Sequence, residues 1–224
     1  MLALLDNPIW HALTTRQAHL AQRDGDAARF DPAFTLLAGL RAQSADALDA
    51  LARLLAPDGV VGLFLDAAPA AAGLRVLDDL EIVQMVHTAA APTAPPAQLV
   101  ALGPADVPAM IALAVLTRPG PFGPRTIELG DFVGIKRDGV LVAMAGQRMR
   151  MDGLIEVSAI CTHPDHLGQG HAAALTAHQI ARIHAARALP FLHVRADNSR
   201  AIGLYEHLGF AERRRFRYLI VRAA

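Results

Sequence analysis

The chain has 224 residues, of which 53% are hydrophobic and 19% are charged. This composition supplies enough apolar mass for a packed core, whereas disordered chains combine low hydrophobicity with high net charge. The 21 basic and 21 acidic residues cancel at pH 7. That balance argues against a general affinity for nucleic acid or anionic membranes, since both need basic groups gathered on one face.

Three features predict a cytoplasmic protein with no membrane contact. Cys161 is the only cysteine, so an intrachain disulfide is excluded. The first residues lack the basic segment of a signal peptide, and Asp6 and Pro8 interrupt their apolar run. No apolar stretch reaches the roughly 18–20 residues that cross a bilayer.

In chain order, the first predicted elements lie within residues 1–88, an α/β region without a catalytic motif. Ser44 is suited to cap an amphipathic helix that ends before Pro57. Two apolar runs, residues 60–65 and 80–86, predict buried strands. Residues 89–97 are rich in alanine and proline; because proline fixes φ and lacks an amide donor, we predict an extended connector there.

Residues 98–224 are predicted to form a second domain in which strands first form a meander and then alternate with helices. Asp138-Gly139 is a good hairpin turn between the second and third strands. The pattern predicts a mixed, largely antiparallel sheet with helices on both faces, of the α+β class. The predicted strands are 98–102, 131–135, 140–145, 154–162, 191–196 and 216–222, and the predicted helices are 104–116, 170–187 and 199–208.

A glycine-containing loop joins the strand at 154–162 to the following helix. Gly168 and Gly170 precede a helix N-terminus, where unpaired amides and the helix dipole favour an anion such as a pyrophosphate. Taken alone, the same glycines are more often those of an ordinary strand-to-helix turn.

A second segment makes the pattern more specific. Residues 198–210 run Asn-Ser-Arg-Ala-Ile-Gly-Leu-Tyr-Glu-His-Leu-Gly-Phe. With the loop, this segment resembles the GNAT superfamily of N-acetyltransferases, whose signatures are Arg/Gln-x-x-Gly-x-Gly/Ala and Asn-x-x-Ala-x-x-Leu-Tyr-x-x-x-Gly-Phe. The resemblance covers about residues 98–222 and implies the GNAT acyltransferase fold, with residues 1–88 as an N-terminal α/β extension.

The resemblance implies acetyl-CoA as co-substrate and an amine as acceptor. One position departs from the family pattern, because the leading Arg or Gln falls on Leu167, which has no side-chain donor; Gln169 or His171 could compensate. The positions that the resemblance assigns to the cofactor are Ile160, Thr162, Leu167, Gly168, Gln169, Gly170, His171, Ala172 and Asn198.

Two residues are candidates for catalysis. The resemblance makes Tyr205 the acid that protonates the departing thiolate; a core aromatic is the alternative. Strand alternation places Glu156 on one face with Ile160 and Thr162, where it could act through water as the base; an ion pair at the cleft rim is the alternative. Asn198 could also simply cap the helix that follows it.

Several alternatives stay open. A non-catalytic acyl-CoA sensor could use the same fold, and residues 1–88 could be an interaction domain or a degenerate acyltransferase half. Cys161 is expected to be a buried apolar residue rather than a nucleophile. We expect no metal site, because the ten histidines form no ligand motif. The sequence leaves open the acceptor, which the loop at 117–125 should help to select, and whether the chain forms a homodimer.

Overall fold

The computed structural model describes residues 1–67, 73–90, 92 and 99–223. Most of the predicted connector at 89–97, together with Gln98 at the start of the next predicted strand, lies outside these residues. Within the described part, no helix is both long and apolar enough to cross a membrane.

The described residues form eleven strands, five α-helices and five short 3₁₀ helices. The helices are α1 (Pro8–Thr14), α2 (Ala45–Leu54), α3 (Val107–Thr117), α4 (His171–Ala185) and α5 (Ser199–His207). The strands are β1 (Ala21–Asp24), β2 (Ala27–Phe30), β3 (Ala38–Leu40), β4 (Val60–Leu65), β5 (Leu74–His87), β6 (Val100–Ala101), β7 (Val133–Arg137), β8 (Val140–Met151), β9 (Leu154–Thr162), β10 (Leu189–Arg195) and β11 (Phe210–Ala223).

Eight of these strands form one sheet in the order β4-β11-β5-β10-β9-β8-β7-β6. Every neighbouring pair is antiparallel except β9 and β10, which run parallel. The predicted mixed, largely antiparallel sheet is therefore confirmed. The other three strands form a separate small sheet in the order β1-β2-β3.

Helices cover both faces of the large sheet, as predicted. On one face, Met110 of α3 packs with Met144 of β8 in an apolar cluster. On the other, Ile180 of α4 packs with Val157 of β9 and Leu192 of β10. Adjacent residues of the same strands point to opposite layers, as the pleat of a β-strand requires.

The large sheet contains strands from both sides of the predicted connector. Strand β5, from the first 88 residues, lies between β10 and β11, and β4 pairs with the far edge of β11. Helix α2, capped by a hydrogen bond from the Ala47 amide to Ser44 Oγ (3.2 Å), packs against β4 and β11. The α/β region at 1–88 thus supplies two strands of the sheet that carries the candidate site; its boundary at 89–97 stays a prediction.

Candidate functional site

A cleft opens where the two parallel strands separate. The pairing of β9 with β10 is confined to three residue pairs and ends at Glu156 opposite Phe191. Beyond that point β9 stays paired only with β8, and β10 stays paired only with β5. The diverging strand ends leave backbone N–H and C=O groups unpaired along the inner edge of β9. The cleft between them has a volume of about 470 Å³.

A β-bulge at Ala159 shapes this inner edge. Met144 pairs with Cys161 and Gly146 with Ser158, so β9 contains one residue more than β8 between these pairs. Ala159 has φ of 53°, a left-handed conformation that costs a non-glycine residue about 1–3 kcal/mol. Such strained positions are concentrated at ligand and active sites.

The bulge overturns one expectation. Simple alternation placed Ile160 on the face of Glu156, with Val157 and Cys161 on the opposite face. Instead, Ile160 joins Val157 in the layer of α4, and Cys161 packs in the layer of α3. The prediction was wrong because a bulge shifts every later side chain of the strand to the other face.

The glycine loop has the geometry of an anion site. Gly168 and Gly170 have φ of 76° and 74°, and a Cβ at either position would meet no atom within 4 Å. Helix α4 begins directly after Gly170 and has no side-chain cap. The amides of its first turn therefore face open space beside the loop, where the helix dipole favours a negative charge.

The other predicted loop residues flank this turn without adding a charged group. Leu167 is half-exposed and Gln169 is exposed. His171 is buried, and burial, followed by Arg137 and His166, lowers the pKa of its imidazole. Its Nε2 has no hydrogen-bond partner in the described part of the chain. An anion at this loop would therefore be held mainly by backbone amides.

Tyr205 lies on α5 at the cleft. Its side chain is buried and packs edge-on against Phe210, with ring centroids 6.1 Å apart. Burial, and to a lesser degree Cys161, raises the pKa of the Tyr205 hydroxyl to about 12, so it stays protonated at neutral pH. Asn198 caps this helix, because its Oδ1 accepts a hydrogen bond from the Ala201 amide (3.1 Å), and it also lines the cleft.

Glu156 is completely buried, and both of its oxygens are occupied. Arg148 donates from Nε to Oε2 (2.8 Å) and from Nη2 to Oε1 (2.7 Å), and Nδ1 of His193 lies 2.8 Å from Oε1. Burial alone would raise the pKa of this carboxyl, but Arg148 and then His193 outweigh it and hold the pKa at about 2. The ion pair foreseen as an alternative is present, buried rather than at a rim.

The protonation of His193 follows from its neighbours. Gln84 donates from Nε2 to the carbonyl of Leu5 (2.9 Å) and accepts from Arg213 at Oε1 (2.9 Å), which fixes the orientation of its amide. The same Nε2 lies 3.1 Å from Nε2 of His193, which must therefore accept. His193 then carries its proton on Nδ1, and this N–H donates a hydrogen bond to Oε1 of Glu156. Burial also lowers the pKa of His193, so the imidazole is neutral at pH 7.

Sequence reasoning missed Arg148, His193 and Gln84. No motif marks them, and only the register of β8, β10 and β5 brings their side chains together around Glu156. The one available signal was an ionisable residue within an apolar strand, since His193 sits between Leu192 and Val194.

Cys161 and the basic residues of β11 have simple structural explanations. Cys161 is buried and burial raises the pKa of its thiol to about 11, as suits a small apolar residue. The described residues bring together no group of three His, Cys, Asp or Glu side chains suited to hold a metal. The basic residues of β11 each pair with a nearby carboxylate, as in Arg213 with Asp6 (2.6 Å).

The mouth of the cleft is built from both halves of the chain. Arg118, Pro119, Gly120 and Pro121 line it, as predicted for the loop that follows α3. The first 88 residues also reach the cleft, which the sequence did not indicate. They contribute four apolar side chains: Leu37, Phe64, Leu80 and Ile82.

Comparison with known proteins agrees with this geometry. The family model of FR47-like proteins matches residues 132–219. A crystal structure of an acetyltransferase assigned to the GNAT family, from Novosphingobium aromaticivorans, is 38% identical over 98% of both chains, with a TM-score of 0.92. A GCN5-related N-acetyltransferase from Kribbella flavida is 18% identical over 98% of this chain and 93% of that one, with a TM-score of 0.59, and shares the fold. No curated protein matches the sequence. The chain belongs to the GNAT family of acetyltransferases.

Proposed function

We propose that the protein transfers an acetyl group from acetyl-CoA to an amine by direct attack within a ternary complex. The observation that carries the proposal is the diverging β9/β10 cleft, which is lined by the buried, protonated Tyr205 and by Thr162, the last residue of β9 before the glycine loop. Membership of an acetyltransferase family supports the same chemistry.

The residues present fit acetyl-CoA. The amides at the start of α4, with Gly168, Gln169 and Gly170, would hold its pyrophosphate. The unpaired edge of β9 from Ile160 to Thr162 would pair with the amide groups of its pantetheine arm, as an added strand does. The remaining predicted contacts are Leu167, His171, Ala172 and Asn198. Leu167 contributes no hydrogen bond, so we expect the backbone to supply most of the affinity.

Tyr205 would protonate the leaving group. Its hydroxyl stays protonated far above neutral pH, and the structure gives it no hydrogen-bond partner among the described residues. It can therefore donate to the thiolate as the thioester breaks. The bulge at Ala159 would direct a backbone amide toward the thioester oxygen and stabilise its developing negative charge.

Glu156 would act together with His193. A carboxylate with a pKa of about 2 and both oxygens occupied is a weak base by itself. His193 is neutral and lines the cleft, and its unprotonated Nε2 accepts a hydrogen bond from Gln84. To take the proton of the amine, this nitrogen would exchange its contact with Gln84 for the amine, while Glu156 stabilises the resulting imidazolium. The proposal therefore keeps Glu156 in the catalytic group, with its effect exerted through His193.

The test is acetyl transfer itself. Purified protein should bind acetyl-CoA by calorimetry and should release the CoA thiol in proportion to an added amine, across amino acids, other small amines and peptide N-termini. Tight binding of acetyl-CoA with no amine-dependent release would favour a non-catalytic sensor instead.

A further inference from the structure

The cleft has an unusual charge for a site that takes an amine. Its lining contains three arginines, Arg118, Arg148 and Arg195, and one histidine, but no Asp or Glu among the described residues. A site for a polycationic acceptor would present free carboxylates, because opposite charges steer a ligand and select it. Here the charged side chains of the lining are arginines.

Two of these arginines have acidic partners outside the lining. Arg148 is held by Glu156, and Arg195 pairs with Asp197 (2.5 Å). The hydrogen bonds of Arg148 to Glu156 use Nε and Nη2, and among the described residues Nη1 has no partner. Arg148 therefore retains donors toward the cleft even though its charge is balanced.

Arg118 supplies the uncompensated charge. It is exposed at the cleft mouth and has no ion-pair partner in the described part of the chain. It ends α3 with φ of 50°, a left-handed conformation that favours glycine.

The N-terminal region gives the cleft an apolar wall in addition to these charged groups. Phe64, Leu80 and Ile82 present apolar side chains to the same cleft, with Ile220 of β11. An occupant of this space must bury apolar surface, which is favourable by about 25 cal/mol per Å².

Resting on the proposed acetyl transfer, we propose that the acceptor is a small amine that carries both a carboxylate and an apolar body, that is, an α-amino acid with an apolar side chain. Arg118, helped by Nη1 of Arg148, would bind the carboxylate, and the wall of Phe64, Leu80 and Ile82 would hold the side chain. A cleft of about 470 Å³ shared with the acyl donor suits an acceptor of this size.

The experiment compares matched acceptors at one acetyl-CoA concentration: L-phenylalanine, L-phenylalaninamide, 2-phenylethylamine and spermidine. Amidation lowers the pKa of the amine and so favours the amide on chemical grounds alone. We nevertheless expect kcat/KM for the acid to exceed that for the amide by roughly 10–100-fold, the ratio that corresponds to one charge-assisted hydrogen bond. Spermidine should be the poorest acceptor.

The variant Arg118→Gln should reduce this acid-to-amide ratio at least tenfold through KM for the acid. Arg187→Gln is the matched control, because Arg187 is also exposed and left-handed (φ 56°) but does not line the cleft; it should keep the parental ratio. If L-phenylalaninamide or 2-phenylethylamine, which lack a carboxylate, reacts with the same kcat/KM as the acid, the inference about the acceptor is overturned, whereas the proposed acetyl transfer is not affected. So would an Arg118→Gln variant that changes only KM for acetyl-CoA, since the arginine would then serve the cofactor. Absence of amine-dependent thiol release with every acceptor would remove both proposals.

Discussion

The buried pair of Arg148 and Glu156 gives the most quantitative prediction. Replacing Arg148 by Met removes two hydrogen bonds and leaves a buried carboxylate beside a neutral His193. A carboxyl whose pKa falls from 4.5 to about 2 has its charged form stabilised by about 3 kcal/mol. Breaking a buried pair by removing one partner typically costs about 3–5 kcal/mol. We therefore expect Arg148→Met to lower the free energy of unfolding by about 3–5 kcal/mol, which lowers Tm by roughly 6–20 °C in a domain of this size.

The assay is a double-mutant cycle followed by thermal and denaturant unfolding. Arg148→Met combined with Glu156→Gln removes both charges, so the double variant should be more stable than Arg148→Met alone. Equal stability of Arg148→Met and the parent would refute the reasoning, because Glu156 could not then be the buried, charged partner described here.

The pair of Arg148 and Glu156 also makes the free energy of unfolding depend on pH. Because the folded pKa of Glu156 lies below its unfolded value, its contribution is fully present above about pH 4.5 and is lost as pH falls toward 2. The parent should therefore lose stability over this window more steeply than the Arg148→Met/Glu156→Gln variant. Matching acid-unfolding curves for the two proteins would contradict this assignment.

Four further variants, one of them with a matched control, test the site. Tyr205→Phe removes one hydroxyl that has no hydrogen-bond partner among the described residues, so it should lower kcat by about 10²–10⁴-fold with little change in KM for acetyl-CoA; an unchanged kcat would exclude Tyr205 as the acid. Gly170→Asp should abolish acetyl-CoA binding in calorimetry, whereas Gly170→Asn, with the same backbone strain and no charge, should retain most of it; equal losses would implicate strain instead. Leu167→Arg should tighten CoA by about 1–2 kcal/mol, unless the loop amides already suffice. His193→Gln should remove the acidic limb of the kcat profile, which lies below pH 6.5 because burial lowers the pKa of His193; a retained limb would assign it elsewhere.

Local patterns predicted much of the fold. The strands at 60–65 and 154–162 have the predicted bounds, and Ser44 caps α2 as expected. Asp138 and Gly139 both have positive φ, as a two-residue hairpin turn requires. Apolar periodicity, caps and turn residues are properties of neighbouring positions, so one sequence suffices to find them.

Such local patterns could not predict features that depend on contacts between residues distant in the sequence. Strand β11 begins at Phe210 rather than at 216. The sequence did not predict this first part as a strand because it is a run of charged residues. In the structure, the arginines of β11 pair across the sheet with acids such as Glu81 and Asp79. The insertion of β5 between β10 and β11 depends on pairing between residues more than a hundred positions apart.

The residues of the candidate site also fall into those that local patterns predict and those that depend on distant contacts. Gly170, Tyr205 and Asn198 belong to contiguous motifs and could be named from the sequence. The bulge at Ala159 and the contacts of Glu156 with Arg148 and His193 depend on strand register, which no local pattern specifies.

The most direct test of the central claim counts products in a single reaction. Protein, acetyl-CoA and L-phenylalanine are incubated together, the released thiol is titrated, and the N-acetylated amine is quantified by mass spectrometry. We expect equal amounts of CoA and N-acetyl product, formed together and strongly reduced in Tyr205→Phe. Acetyl-CoA that stays intact while bound, or thiol released without acetylated amine from any acceptor tried, would contradict it.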